Sequence, residues 1–263
     1  MEQEITGCLI DEAEVREAGL YLENRAAQDV LAWALSRFGR RMAICASFQS
    51  EACVLIDMAW RIDPNVRVFT IDTGRLPQET FDLIEQIRER YGIATEVILP
   101  EHEAVQKMVS EHGSNLFLRD VGLRLLCCQV RKVLPLKRAL ANLDAWVTGL
   151  RRDQTLTRSE IRKVEIDEQH GGIVKVSPLA GWTEREVWDY IRLNDVPYNA
   201  LYERGYRSIG CASCTRAVAE GEDPRSGRWW WETGAVKECG MHCTIENGRF
   251  ESELTAVVGA RGV

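Results

Sequence analysis

Nine cysteines stand among the 263 residues of this chain, and four of them form two close pairs: Cys127-Cys128, and Cys211-Ala212-Ser213-Cys214. Four thiolates can close a tetrahedral zinc site or hold an iron–sulfur cluster. Structural zinc usually draws on two spaced CxxC knuckles. Side chains of adjacent residues on a helix diverge by about 100°, and a cubane with irons at separate corners accommodates that divergence better than one ion does. The pattern points to a [4Fe–4S] cluster on Cys127, Cys128, Cys211 and Cys214, with zinc or four plain buried thiols as the alternatives. Helical spacing also sets Arg131 four residues after Cys127 and Lys132 four after Cys128. Residues at i and i+4 share a face, so both cations would lie beside an anionic cluster. Lys132 can equally reach an anionic substrate, or sit in solvent.

A second thiol of interest is Cys239, in Lys237-Glu238-Cys239-Gly240-Met241-His242. The neighbouring glycine lets the backbone approach another molecule closely. Arg228, Lys237 and His242 are the groups able to lower its pKa and make it a nucleophile. Cys243, four residues on, can resolve an oxidised Cys239 or do nothing. Cys45 and Cys53 lie in apolar settings and read as core.

Anion recognition is the third theme. Arg151, Arg152 and Arg158 flank one loop, and Arg225 and Arg228 lie a few residues before Cys239. The chain as a whole carries a net charge of −7. General attraction to nucleic acid or an anionic membrane is therefore excluded as a working principle. Arginines gathered in loops of an acidic protein suggest bidentate phosphate or sulfate binding, although each taken singly is an ordinary surface residue. The segment Ser47-Phe48-Gln49-Ser50-Glu51 follows an apolar run and precedes a helical pattern. Its free amides and the helix dipole can receive an anion. It lacks the glycines and the Gly-Lys-Ser/Thr of a Walker A loop, and a serine-capped helix start explains it too. The run Trp229-Trp230-Trp231 reads as core packing.

The elements that must position these groups follow from periodicity. Residues 11–39 carry helical apolar spacing that stops at Gly39. The apolar run at 42–46 reads as a buried strand, and further strands are expected at 66–71, 94–99 and 144–148. Helices are expected from 51 through Trp60, from Pro77 to Tyr91, and over 101–112 and 120–141. Strands alternating with helices predict a parallel sheet covered by helices. Ligands in such sheets bind off the carboxyl ends of the strands, where 47–51 and Asp72-Thr73-Gly74-Arg75 fall. A hairpin is expected at 161–176 around Gly171-Gly172. Thr183 to Glu186 forms a capping box for a helix through Leu193. After Pro197 the chain loses periodicity and reads as a loop-rich lobe ordered by a metal centre or a ligand. The expected division is an α/β nucleotide-binding domain over 1–200, including the Cys127-Cys128 helix, and a lobe and tail over 201–263. No apolar run is long enough to span a bilayer, and the acidic N-terminus lacks a signal-peptide pattern, so a cytoplasmic location is expected. Nine cysteines there argue for metal or thiol chemistry rather than disulfides.

Together these stretches resemble the sulfonucleotide reductases, which act on adenylylsulfate or 3′-phosphoadenylylsulfate. The resemblance rests on Ser47-Phe48-Gln49, Ile71 to Arg75, Cys127-Cys128 with Arg131-Lys132, Thr148 to Gln154, Cys211 to Cys214 and Glu238 to His242, in the family's order. It implies an adenine-nucleotide α-hydrolase-like α/β fold with a modified pyrophosphatase loop at 47–51. The two cysteine pairs match the branch that carries a [4Fe–4S] cluster and is similar to assimilatory adenylylsulfate reductases. The resemblance implies further that Ser47, Phe48, Gln49, Asp72, Thr73, Gly74 and Arg75 contact adenosine, and that Lys132, Arg158, Arg225 and Arg228 hold the phosphosulfate. It gives Cys239 as the nucleophile, on a mobile tail and assisted by His242, with thioredoxin as reductant and a homo-oligomer as the assembly. The alternatives are action on the 3′-phosphorylated nucleotide or on both, an ATP-pyrophosphatase sulfurtransferase, and a non-enzymatic iron–sulfur sensor.

Overall fold

The computed structural model describes residues 11–155 and 158–232. Cys8, Cys239, His242 and Cys243 lie outside them. Helix α1 spans Glu12–Leu22 and α2 Ala27–Phe38, so the helical pattern over 11–39 is two helices rather than one. Extended backbone at Ala26 ends the first run, and its N–H donates to Asp29 Oδ2 at 3.3 Å, starting the second. Gly39 terminates α2 with φ +51°, a conformation that favours glycine.

The strands are β1 (Met42–Cys45), β2 (Val68–Ile71), β3 (Glu96–Ile98), β4 (Ala145–Val147), β5 (Val164–Asp167) and β6 (Ile173–Val176). They form one six-stranded sheet in the order β3-β2-β1-β4-β6-β5. β1 pairs in parallel with β2 and β4, and β4 pairs in parallel with β6. β5 runs antiparallel to β6, Val164 opposite Val176, as the Gly171-Gly172 hairpin requires. Each apolar run is longer than its strand because the terminal residues turn into the loops. Ala145, Trp146 and Val147 are fully buried, as expected for a strand covered on both faces.

Helices α3 (Ser50–Ile62), α4 (Gln78–Tyr91) and α5 (His102–His112) follow the first three strands. Then come α6 (Val121–Cys128), a five-residue π-helical turn (Gln129–Val133) and α7 (Leu134–Leu140). The sequence reads as one α-helix over 120–141. Pro135 gives the physical reason for the departure: its ring would crowd the carbonyl of residue 131 in a regular α turn, and it offers no N–H. Helix α8 (Glu184–Asn194) carries the expected capping box, with Glu186 N donating to Thr183 Oγ1 and Thr183 N to Glu186 Oε2.

The chain clusters into two compact units. The first comprises residues 1–70, 82–96 and 140–199; the second comprises 71–81, 97–139 and 200–263. The second draws residues after position 200 together with the Cys127-Cys128 helix and the 71–75 loop. No helix among the described residues is long and apolar enough to cross a membrane.

Candidate functional site

In the second unit, Cys127, Cys128, Cys211 and Cys214 share one buried cluster with Phe117, Leu126, Val130 and Trp229. Two cysteines end α6, and Cys211 and Cys214 flank a single 3-10 turn. The 71–75 loop closes on this cluster. Asp72 Oδ1 accepts from Gly74 N at 2.8 Å and turns the chain, and Gly74 takes φ +69°. A Cβ on Gly74 would meet Arg131 Nη1 at 3.3 Å. Thr73, fully buried, then lies with Oγ1 3.2 Å from Cys211 Sγ. Ala212 N donates to Arg75 O at 2.8 Å, fixing the CxxC turn to the same loop.

Cations surround the sulfurs. Burial pushes the Cys211 thiol up, yet Lys132, the Thr73 hydroxyl, Arg228 and Arg75 hold it below the usual thiol range. Cys127 goes up through burial, with Arg131 opposing. Cys214 is pushed up to about 11 by burial and by Cys211. The expected proximity of Arg131 and Lys132 to the cysteines is therefore present, although a π turn rather than an α turn provides it. Arg131 Nη1 also donates to Thr73 O at 2.7 Å. Among the described residues no group of three or more His, Cys, Asp or Glu side chains is arranged to hold a metal ion. The four thiols share one buried environment without converging as such a group.

Arg75 and Arg228, two further cations of this unit, are held in place. Arg75 lies over the Phe117 ring at 5.0 Å and donates to the Ser114 carbonyl. Arg228 is buried, lies over the Trp229 ring at 4.7 Å, and donates to Ser208 Oγ at 3.3 Å. Gly210 makes room for it, since a Cβ there would meet Arg228 Nη2 at 2.4 Å. Arg225 N donates to Asp223 Oδ1 at 2.7 Å.

The first unit holds Ser47, Phe48, Gln49 and Arg158. Ser47 is exposed, with Gln49 Nε2 donating to its Oγ at 3.4 Å. Phe48 is fully buried at φ +54°, a conformation that costs a bulky residue free energy and clusters at functional loops. Glu51, in the first turn of α3, is buried and accepts from Arg151 Nε at 3.0 Å and Gln154 Nε2 at 2.9 Å. Arg158 donates in turn to Gln154 Oε1. Gly149 permits this contact, because a Cβ there would lie 2.8 Å from Glu51 Cβ.

Sequence reasoning missed two charged members of these buried assemblies. Glu51 offered a signal: a carboxylate directly before the apolar run Ala52 to Ile56 needs a buried partner. Arg124, inside the apolar stretch Val121 to Cys128, gave the same kind of signal; its Nε and Nη2 donate to the two carboxylate oxygens of buried Glu232 at 2.9 and 3.0 Å. Thr73, expected at the substrate, also lies against Cys211, and nothing local in the sequence points its hydroxyl there.

The phosphoadenosine phosphosulfate reductase domain pattern matches residues 41–217. The adenosine 5′-phosphosulfate reductase of Burkholderia cepacia is 53% identical over 213 residues, 80% of this chain and 85% of that protein. That of Pseudomonas aeruginosa (strain LESB58) is 46% identical over 226 residues, 84% of each. A solved phosphoadenylyl-sulfate reductase from Candida auris, a phosphate complex, superposes with TM-score 0.66 at 28% identity, over 77% of this chain and 96% of that one. Candida glabrata FMN adenylyltransferase, at TM-score 0.53 and 12% identity over 96% and 84%, shares the fold alone.

Proposed function

Because the chain belongs to the phosphoadenosine phosphosulfate reductase family, we propose that it works by sulfur transfer onto Cys239. It is an adenylylsulfate reductase of sulfate assimilation, a sulfur-group oxidoreductase. The observation that carries this assignment is its relation to adenosine 5′-phosphosulfate reductases over most of its length.

Adenosine is held by Ser47, Phe48, Gln49 and Asp72 to Arg75. Lys132, Arg158, Arg225 and Arg228 neutralise the phosphosulfate so that an anionic thiolate can approach it. The Cys239 thiolate, with His242 near it in sequence, attacks the sulfur. The S–O bond to AMP breaks and AMP leaves with the bonding electrons. The product is a Cys239 S-sulfonate. A thioredoxin thiolate then attacks Cys239 Sγ and sulfite departs with the electron pair. The second thioredoxin thiol resolves the mixed disulfide, so two electrons pass from the dithiol to the sulfonate sulfur. Several copies of the chain assemble in the working enzyme, in the cytoplasm.

Cys127, Cys128, Cys211 and Cys214 are the residues that would hold a [4Fe–4S] cluster. Their fit rests on the donor set: four thiols in one buried patch, a hydroxyl on one sulfur and cations around them. When bound, such a cluster supplies fixed negative charge that holds neighbouring cations in place. Arg131 and Lys132 do the same in reverse, favouring the thiolate form of the ligands.

Replacing Cys239 with Ser should abolish sulfite release and leave AMP binding intact. Wild-type protein given adenylylsulfate without reductant should gain about 80 Da on Cys239, the covalent intermediate of nucleophilic catalysis. Sulfite release by Cys239→Ser at the wild-type rate overturns the proposal. Turnover of the 3′-phosphorylated nucleotide at equal kcat/KM would make it a dual-substrate enzyme. An ATP-pyrophosphatase course has no support in Ser47 to Glu51, which lacks a glycine-rich phosphate loop.

A further inference from the structure

Arg151, Arg152 and Arg158 flank the loop after β4, and their partners differ in kind. Arg151 Nε donates to Glu51 Oε1 at 3.0 Å, and its Nη1 donates to Asp153 Oδ1 and, at 3.3 Å, to the Trp182 carbonyl. Arg152 Nη2 donates to Glu23 Oε1, and its Nε to the Ile161 carbonyl at 2.7 Å. Carboxylates therefore offset part of the charge of both. Arg158 is buried, and its Nη1 donates to Gln154 Oε1. That acceptor is an amide, so the contact fixes the guanidinium without bringing negative charge to it.

The Gln154 side chain satisfies its surroundings in one orientation alone. Its Nε2 faces two acceptors, Glu51 Oε1 at 2.9 Å and the Gly149 carbonyl at 3.4 Å. Its Oε1 faces two donors, Arg158 Nη1 and, at 3.2 Å, the Arg151 backbone N–H. A flipped amide would set oxygen against oxygen on one side and N–H against N–H on the other. Glu51 is buried in the first turn of α3 and is itself fixed by Arg151. Order thus passes from α3 through Glu51 and Gln154 to Arg158, all within the first unit.

We propose that Gln154 is a positioning residue for substrate, holding Arg158 in place for the phosphosulfate through a neutral acceptor that leaves the cation's charge to the ligand. This rests on Arg158 being a phosphosulfate ligand. A carboxylate at position 154 would grip the guanidinium more strongly. It would also offset that charge before an anion arrived and stand against the Glu51 carboxylate. A cation taken out of water attracts an anion more strongly than an exposed one does, so the neutrality of its holder matters here.

The test is equilibrium binding of adenylylsulfate and of adenosine to the full-length protein, by calorimetry, with Cys239→Ser in every sample so that bound adenylylsulfate is not consumed. Adenosine lacks the anionic groups and reports on the rest of the site. Gln154→Glu should bind adenylylsulfate about 5- to 30-fold more weakly and adenosine as before. Adding Glu51→Gln to Gln154→Glu separates the two causes. The pair again sets an amide against a carboxylate, so the melting temperature should move back towards that of the parent. Arg158 still meets a carboxylate, so adenylylsulfate binding should stay weak. A role in packing alone predicts that affinity returns with melting temperature, and that result overturns the proposal. Parental affinity in Gln154→Glu overturns it equally. Should the double variant not fold, Gln154→Met keeps the length and removes the acceptor. It should also lose about 5- to 30-fold in adenylylsulfate affinity with adenosine unchanged, and parental affinity there overturns the proposal. Arg158→Ala distinguishes the two levels of failure. If it binds adenylylsulfate as its parent does, the phosphosulfate reading of Arg158 fails. If it binds weakly while the Gln154 variants do not, the positioning role alone fails.

Discussion

Thr73 Oγ1 lies 3.2 Å from Cys211 Sγ, and the same oxygen accepts from Arg75 N at 3.2 Å. With its proton given to sulfur, the hydroxyl favours the thiolate, in keeping with a Cys211 thiol held below its usual range. The loop that carries Gly74 and Arg75 is thereby fastened to the CxxC turn. Thr73→Val keeps the shape and removes the hydrogen bond. It should cost about 1–3 kcal/mol, the range for orphaning a buried polar partner. Under the proposed [4Fe–4S] assignment, iron bound by the anaerobically purified variant should be lost in air faster than iron bound by wild type. Iron content and visible absorption against time check this.

Glu51 and Arg151 form the corresponding buried pair of the first unit, at 3.0 Å. Glu51→Ala leaves Arg151 with Asp153 and the Trp182 carbonyl, so the loss should fall at the lower end of the range for breaking a buried pair, about 3 kcal/mol. Glu51→Gln keeps an acceptor and should lose less. The Ala variant should also weaken adenylylsulfate binding, because Gln154 then no longer holds Arg158 from a fixed point. Chemical denaturation and a nucleotide titration read the two effects separately.

Gly149→Ala introduces a Cβ 2.8 Å from Glu51 Cβ and 3.5 Å from Ala52 N. The start of α3 must shift to accept it. Overpacking of this kind costs about 1–3 kcal/mol, visible as a lowered midpoint in urea with an unchanged m-value.

Asp167 gives the fold a defined pH dependence. Burial pushes its carboxyl up, but His170 at 2.8 Å, Lys175 and the Trp146 indole N–H outweigh that and hold it below the usual carboxylate range. A depressed carboxyl stabilises the native state above the unfolded value of about 3.9, and the benefit is lost as pH falls through the lower folded value. Asp167→Asn should therefore melt below wild type at pH 6, and the two melting curves should converge as pH drops below about 4. Parallel curves across that range would assign the role to packing instead.

Local chemistry was legible because its causes are local. Apolar runs gave the strands, Thr183 and Glu186 announced the start of α8, and Gly39 and Gly171 marked reversals the backbone makes at positive φ. The two cysteine pairs fall in one buried cluster, and the family resemblance agrees with the matched domain and the named relatives. The π turn was not legible as such: Pro135 would clash in a regular α turn, but how the helix relieves that clash is set only once it is packed. Val97 and Leu99, in and beside the third strand, are half exposed at the sheet's edge, and the edge position was not legible because pairing order is not a local property.

The sequence by itself determined the alternation of strands and helices, the thiols and the cations available to them. Only the tertiary structure decided which charge answers which. Thr73 meets Cys211 across 138 positions, Glu51 meets Arg151 across 100, and Arg124 meets Glu232 across 108. Periodicity reports which face of an element is apolar. A buried ion or hydroxyl takes whichever complementary group the packed chain brings within about 3 Å, and that choice is made by the whole fold.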